Sequence, residues 1–348
     1  MGKVSKYITK DETFVLKGFA ILIMLFLHLF LNINRVNELD NLILIKDIPL
    51  SYWLTRFTCI CVSLYMFLSG YGLYIVFKRK TPMHNLKRIG FLYLNVLLVA
   101  IVFLPLSFFF PSLGWNFDAL TVFYNLSGFY PYNAEWWFLF PWALVCLVSR
   151  YILFFLDSHK TWLVLLISCI LYLGVRLFIH QYGEGRLVVP PMRWLHELGQ
   201  FFVLSFSFLL GASCAKHGIL TYVQQLAKDS KFVSLCSVIL FLLIVYIRIF
   251  YIPIGLFEPF IAVMFCCVIV MNNRFRWLDK ILIGLGREST NMWLIHTFFC
   301  YYYFHDFIYS FRFPILIYLT LIIVSYVSAR IMTFLYQPMK GWLTSKLF

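Results

Sequence analysis

Charge is scarce in this chain, and acidic charge is scarcest. Only 13% of the 348 residues are charged, and 15 Asp and Glu face 29 Lys and Arg. A soluble domain of this length needs far more polar surface, so a water-soluble globular protein is excluded. No stretch outside the apolar runs is long enough for a separate globular domain. The N-terminal region lacks a small-residue cleavage site after its first apolar run, so that run is expected to be retained as a span. The two long connections expected on the outside, 111–135 and 181–197, contain none of the nine cysteines, which argues against a disulfide framework. Cys59 and Cys61, two residues apart, would point to different sides of a helix, so packing is expected there and no metal site. Internal repeats and low-complexity linkers are absent as well.

What the chain has is apolar length. It is 62% apolar and 20% aromatic, with a mean hydropathy of +0.84. Runs at roughly 14–33, 52–77, 88–110, 136–156, 161–180, 198–217, 232–251, 256–272, 289–309 and 313–336 predict an all-α polytopic membrane protein of about ten transmembrane helices. The whole chain, 1–348, reads as one transmembrane domain. The net charge of +14 could suggest nucleic acid, but its distribution does not. With the N-terminus inside, 20 of the 29 Lys and Arg fall in inner segments and none in 111–135. This asymmetry predicts a multi-pass protein of the cell (plasma or inner) membrane with both termini cytoplasmic. The charge then serves orientation and contact with anionic lipid, and no nucleic-acid partner is expected.

Four places depart from ordinary spans. Lys17 and His28 stand eleven residues apart in the first run, which on a helix is three turns plus roughly 20°, about 16 Å along one face. A snorkelling lysine and a hydrogen-bonded interhelical histidine would explain each separately. Together they suit an extended donor such as coenzyme A, phosphates at the cation and thioester at the imidazole. Neutral imidazole is suited to removing an alcohol proton near neutral pH. The second place is Phe67-Leu-Ser-Gly-Tyr-Gly-Leu73, where Ser69 and Gly70 allow close approach of a helix or a ligand. It is followed by the basic turn Lys78-Arg-Lys80 and by Lys87 and Arg88, a possible trap for a nucleotide-like donor.

The third place is Glu135 in Glu135-Trp-Trp-Phe-Leu139, at a helix start where the dipole favours a carboxylate. Its functional alternative is to orient His28 or a sugar hydroxyl. The fourth is Leu285-Gly-Arg-Glu-Ser-Thr-Asn-Met-Trp-Leu-Ile-His296, where Ser289 or Thr290 can cap a helix and His296 follows two turns in. Ser289 and His296 are read as supporting residues. Both long connections are rich in aromatic residues, which fits an interfacial belt or a sugar-stacking surface equally well.

In order along the chain, these stretches resemble the integral-membrane acyltransferase-3 family. The strongest element is the basic-residue-x10-His pattern of Lys17 and His28. Phe-Leu-Ser-Gly-Tyr, Trp-Phe-Leu and Gly-Arg-Glu-Ser…Trp-Leu-Ile-His add to it. The sequence departs from the family in carrying Lys17 where Arg is usual, and Phe91 where a second Arg usually follows Arg88. The resemblance implies transfer of an acetyl or other short acyl group from cytosolic acetyl-CoA to a hydroxyl of an extracytoplasmic polysaccharide or lipid-linked glycan. It implies His28 and Glu135 as catalytic residues, Lys17, Lys87, Arg88, Ser69 and Gly70 at the donor, membrane lipids around the chain, and no metal. A transporter or flippase of a lipid-linked glycan, or a membrane acyltransferase of unrelated fold, would share much of this composition; the paired broken helices of many transporters are not seen.

Overall fold

Eight helices are long and apolar enough to cross a membrane in this computed structural model, which describes residues 6–182, 192–252 and 255–347. In chain order the helices are α1 (Lys10–Phe30), α2 (Ile33–Asn37), α3 (Leu50–Thr58), α4 (Cys61–Val76), α5 (Met83–Phe103), α6 (Ala119–Ser127), α7 (Leu139–Ser158) and α8 (Thr161–Tyr182). They continue as α9 (Arg193–His217), α10 (Ile219–Asp229), α11 (Lys231–Phe250), α12 (Glu258–Met271), α13 (Arg276–Thr297), α14 (His305–Tyr309) and α15 (Pro314–Leu347). A single short hairpin pairs Leu44–Ile45 with Ile48–Pro49 among the described residues. Its turn residues Lys46 and Asp47 both have positive φ, as a type I′ turn requires.

Two helix crossings set the architecture, and glycine closes both. A Cβ on Gly70 of α4 would lie 1.9 Å from the carbonyl oxygen of Phe208 on α9, and one on Gly211 the same distance from that of Phe67. The α1–α13 crossing repeats the device: Gly18 faces the Leu282 carbonyl and Gly286 that of Phe14. No other residue lets backbones approach so closely, which is how helices associate where lipid gives them no hydrophobic incentive. Around these crossings lie two apolar clusters. One joins the distal half of α1 to α5, α13 and α15; the other joins its first half to α4, α7, α9 and α12.

The expected spans need revision in three places. The second is two helices, α3 and α4, meeting near Cys59 and Ile60. The eighth, α12, is a shorter apolar helix. The ninth was placed at 289–309, but its helix starts at Arg276 and its regular turns stop at Thr297. Arg276, Asp279, Lys280, Arg287 and Glu288 hid that start from a hydropathy reading, because they share the helix with the small residues that pack on α1. Ser289 and Thr290 therefore sit inside a helix and cap nothing; the Ser289 hydroxyl donates to the Gly286 carbonyl.

Candidate active site

One cavity of about 1460 Å³ runs between the two apolar clusters. Thr13, Lys17, Met24, His28 and Leu31 form the α1 wall. Their spacing of three, four or seven residues is a helical stripe, so Lys17 and His28 look into the same space. On α5 the stripe is His84, Arg88, Phe91, Leu92 and Asn95. α13 adds Arg287, Ser289, Thr290, Asn291 and Trp293.

His28 is buried at the centre, 9% exposed. Its Nε2 faces the Glu135 carboxylate at 3.5 Å. On the other side its Nδ1 is 3.4 Å from the Tyr301 hydroxyl, which donates to the His28 backbone carbonyl at 2.6 Å. With that hydroxyl proton committed, the Tyr301 oxygen can only accept from Nδ1–H, which leaves the Nε2 lone pair toward Glu135 and the cavity. The His296 ring lies 5.0 Å away, its Nδ1 held by the Trp293 and Met292 carbonyls.

Local sequence explains how these groups meet. Asn133, not Glu135, caps the turn, its side chain accepting from the Glu135 amide. Glu135 is thus released from the capping role its position suggested. The turn is pinned to α13 by Trp136 Nε1 donating to the Leu294 carbonyl at 2.9 Å and Trp293 Nε1 donating to that of Glu135 at 3.2 Å. Tyr301 arrives by a different route. After Thr297 the helix widens into a π turn, Phe298–Tyr302, whose extra residue shifts the register. Arg35 covers the Tyr301 and Tyr309 rings and donates to the Tyr309 hydroxyl at 3.1 Å. Nothing in the sequence flagged Tyr301; a π turn has no local signature comparable to a cap or a glycine.

The two ends of the cavity differ. Lys17, Arg88, Arg287, Lys340 and His84 line one end. Lys17, Arg88 and Arg287 make no ion pair with a carboxylate among the described residues. Tyr130, Trp137, Arg193, His196 and Gln200 line the other end, with Arg176 and Glu258 beside Tyr172. There the cations are tied: Arg193 to Glu197 at 2.7 Å and Arg176 to Glu258 at 3.0 Å. His196 and Gln200 continue the chain, at 3.4 Å from Glu197 and 3.3 Å from His196.

Of the residues singled out from sequence, Lys17, His28, Ser69, Arg88, Glu135 and Ser289 line this cavity. Gly70 does not: it is occupied by the contact with α9, a correction to its expected place at the donor. Ser69 accepts from Trp142 Nε1 at 3.3 Å. Lys87 lies off the wall that Arg88 lines, and His296 stands behind His28, outside the lining. Lys78 pairs with Asp157 at 2.5 Å, away from the cavity. Arg287 and Lys340, both missed, take up the basic end. The first long connection, 111–135, is largely an aromatic cluster packed on itself, with Trp115 5.3 Å from Tyr132 and from Tyr302. Trp194 of the second packs on Phe129 at 4.4 Å, while positions 183–191 lie outside the described residues.

A polytopic helical bundle with a buried His beside a half-buried Glu on a cavity whose one end is cationic is an arrangement fitted to moving a group from an anionic donor. The sequence matches the acyltransferase-3 family, described as an acyltransferase domain, over residues 15–333, and the chain belongs to that family of membrane acyltransferases. No curated protein and no solved structure matches it.

Proposed function

We propose that this protein is a membrane O-acyltransferase that takes an acetyl or similarly short acyl group from a coenzyme A thioester. It delivers the group to a hydroxyl of a polysaccharide or lipid-linked glycan on the opposite face of the membrane. The observation that carries this reading is the single cavity in which Lys17 and Arg88 occupy one end and His28 with Glu135 the centre. Half-buried cations without a carboxylate partner are costly, and an incoming phosphate or pyrophosphate would lower that cost. The basic end would face the cytoplasm, consistent with the positive-inside distribution.

At the centre His28 Nε2 acts as the general base. It takes the proton of the acceptor hydroxyl as that oxygen attacks the thioester carbonyl carbon. The tetrahedral intermediate expels the thiolate, which recovers the proton from the imidazolium, giving the ester and free coenzyme A. Glu135 stabilises the charge that develops on the ring. Tyr301 fixes its orientation through Nδ1. A glycan acceptor is supported by the far end of the cavity, where internally neutralised Arg, Glu, His and Gln side chains alternate with Tyr130 and Trp137. Such a wall offers many donors and acceptors without net charge. Because the cavity is continuous, donor and acceptor can meet at His28 without a covalent carrier.

The test is mass spectrometry of the surface glycan from cells carrying the wild type or His28→Ala at equal membrane abundance. Acylation should disappear in the variant; undiminished acylation would overturn the assignment. Purified protein given radiolabelled acetyl-CoA alone should release no coenzyme A in a burst and retain no label, whereas an acyl-histidine route would do both.

A further inference from the structure

The basic end of the cavity holds its cations in two settings, each built around a phenylalanine. On the α1–α13 side the Lys17 ammonium lies 6.0 Å and the Arg287 guanidinium 5.6 Å from the centre of the Phe14 ring. On the α5–α15 side the Lys340 ammonium lies 5.1 Å from the centre of the Phe91 ring and 5.8 Å from that of Tyr336. Phe91 follows Arg88 by three residues, so the two share a stripe of α5. Arg88, Phe91, Tyr336 and Lys340 all line the cavity, which places the ammonium among groups of its wall. Lys340 is half-buried, and its Nζ keeps accessible surface. No carboxylate pairs with it among the described residues.

The last helix delivers this cation by running back along α5. Thr333 donates to Glu288 and accepts from Asn291, which in turn bonds Asn95, while the Tyr336 hydroxyl donates to the Phe91 carbonyl at 3.0 Å. Each step along α15 therefore descends α5 toward Arg88. Lys340, one turn past Tyr336, reaches back over Phe91 because helix side chains lean toward their own N-terminus. A cation held over aromatic rings is fixed without being neutralised, since a ring offers a quadrupole and no net charge. Its charge stays available to an anion. Lys17 shares the face of His28, which assigns the Phe14 setting to the pyrophosphate that begins the arm toward the thioester. The Phe91 setting then needs a second anion.

We propose that Lys340, with Arg88 on the facing α5, holds the ribose 3′-phosphate of the donor and so selects coenzyme A over its dephospho form. In coenzyme A this phosphate stands apart from the pyrophosphate, on the ribose. As a monoester it carries about two negative charges near neutral pH, enough to engage an ammonium and a guanidinium together. Phe91 and Tyr336 keep the ammonium at the wall while the site is vacant. The inference rests on the coenzyme A reading above and adds to it the residue that distinguishes one phosphate of the donor from the other two.

Calorimetry on the purified full chain with two ligands separates the two ideas. The ligands are coenzyme A and dephospho-coenzyme A, which lacks only the 3′-phosphate. Wild type should prefer coenzyme A by about ten- to a hundredfold, the worth of charged hydrogen bonds to one phosphate. Lys340→Gln should weaken coenzyme A by about tenfold and leave dephospho-coenzyme A unchanged, which also shows that the variant folds. Lys340→Arg should keep the preference. If wild type binds coenzyme A but does not prefer it, or if Lys340→Gln binds both ligands as well as wild type does, the 3′-phosphate role fails and the transferase reading stands. Equal loss of both ligands in Lys340→Gln also overturns it, as a structural or pyrophosphate role would produce that. If wild type binds neither, the coenzyme A reading itself fails.

Discussion

At one end of the cavity Lys17, Arg88 and Arg287 have no carboxylate among the described residues to pair with, whereas at the other Arg193 is tied to the buried Glu197 and Arg176 to the half-buried Glu258. The residue types are alike and the electrostatic result is opposite. Uncompensated cations form a site that an anion from outside must complete. Compensated ones form a polar wall that gains nothing from an anion and offers oriented hydrogen bonds instead. Between them His28 lines the same cavity, which is where a phosphate-bearing donor and a hydroxyl-bearing acceptor would meet on the proposed reading.

Removing the meeting point should have the largest effect. His28→Ala is expected to lower acyl transfer by about 10²–10⁴-fold, the usual worth of a positioned general base, with binding of coenzyme A retained in calorimetry. Glu135→Gln should show a smaller loss in the same assay. Breaking the basic end comes next. Lys17→Ala and Arg88→Ala should each raise the KM for acyl-CoA by about 10- to 100-fold, from a charged hydrogen bond of about 1.5–3 kcal/mol, while the KM for the acceptor stays put. Lys17→Arg should be mild.

The comparison can also be inverted. Glu197→Gln would free Arg193 and make the neutral wall cationic, so the KM for a neutral glycan should rise while that for acyl-CoA does not. The protein should also be less stable, as uncompensated buried charge is worth about 3–5 kcal/mol. An exposed pair supplies the contrast of smallest size. Arg312 holds the Asp40 carboxyl below its ordinary range through a hydrogen bond and charge. A carboxyl lowered on folding adds stability above its unfolded value, and that addition vanishes as pH falls through the folded one. Asp40→Asn should therefore shift the thermal midpoint slightly near pH 7 and not at all in strong acid.

Much of this architecture was legible because lipid imposes a simple grammar. Apolar runs disclosed most spans, and the eleven-position spacing of Lys17 and His28 disclosed a shared face. The reading failed where tertiary partners override composition. The start of the ninth span at Arg276 was hidden by charged residues, and its glycines, seated on α1, explain its place. Gly70 could serve a ligand or a neighbouring helix, and spacing does not choose between them; the carbonyl of Phe208 does. Tyr301 depends on one inserted residue in the helical register, and Lys340 on a last helix that runs beyond its apolar stretch. Glu135 was ambiguous for a similar reason, since its freedom depends on Asn133 two residues earlier taking the cap.

The glycine crossings have a kinetic consequence. Main chain rests directly on main chain at Gly18, Gly70, Gly211 and Gly286, so the spacing of α1 from α13 and of α4 from α9 is set by rigid atoms and not by rotamers. A hollow framed in that way stays open when vacant. An anionic substrate would then enter as water leaves with no helix displaced, and its on-rate is expected to depend steeply on ionic strength.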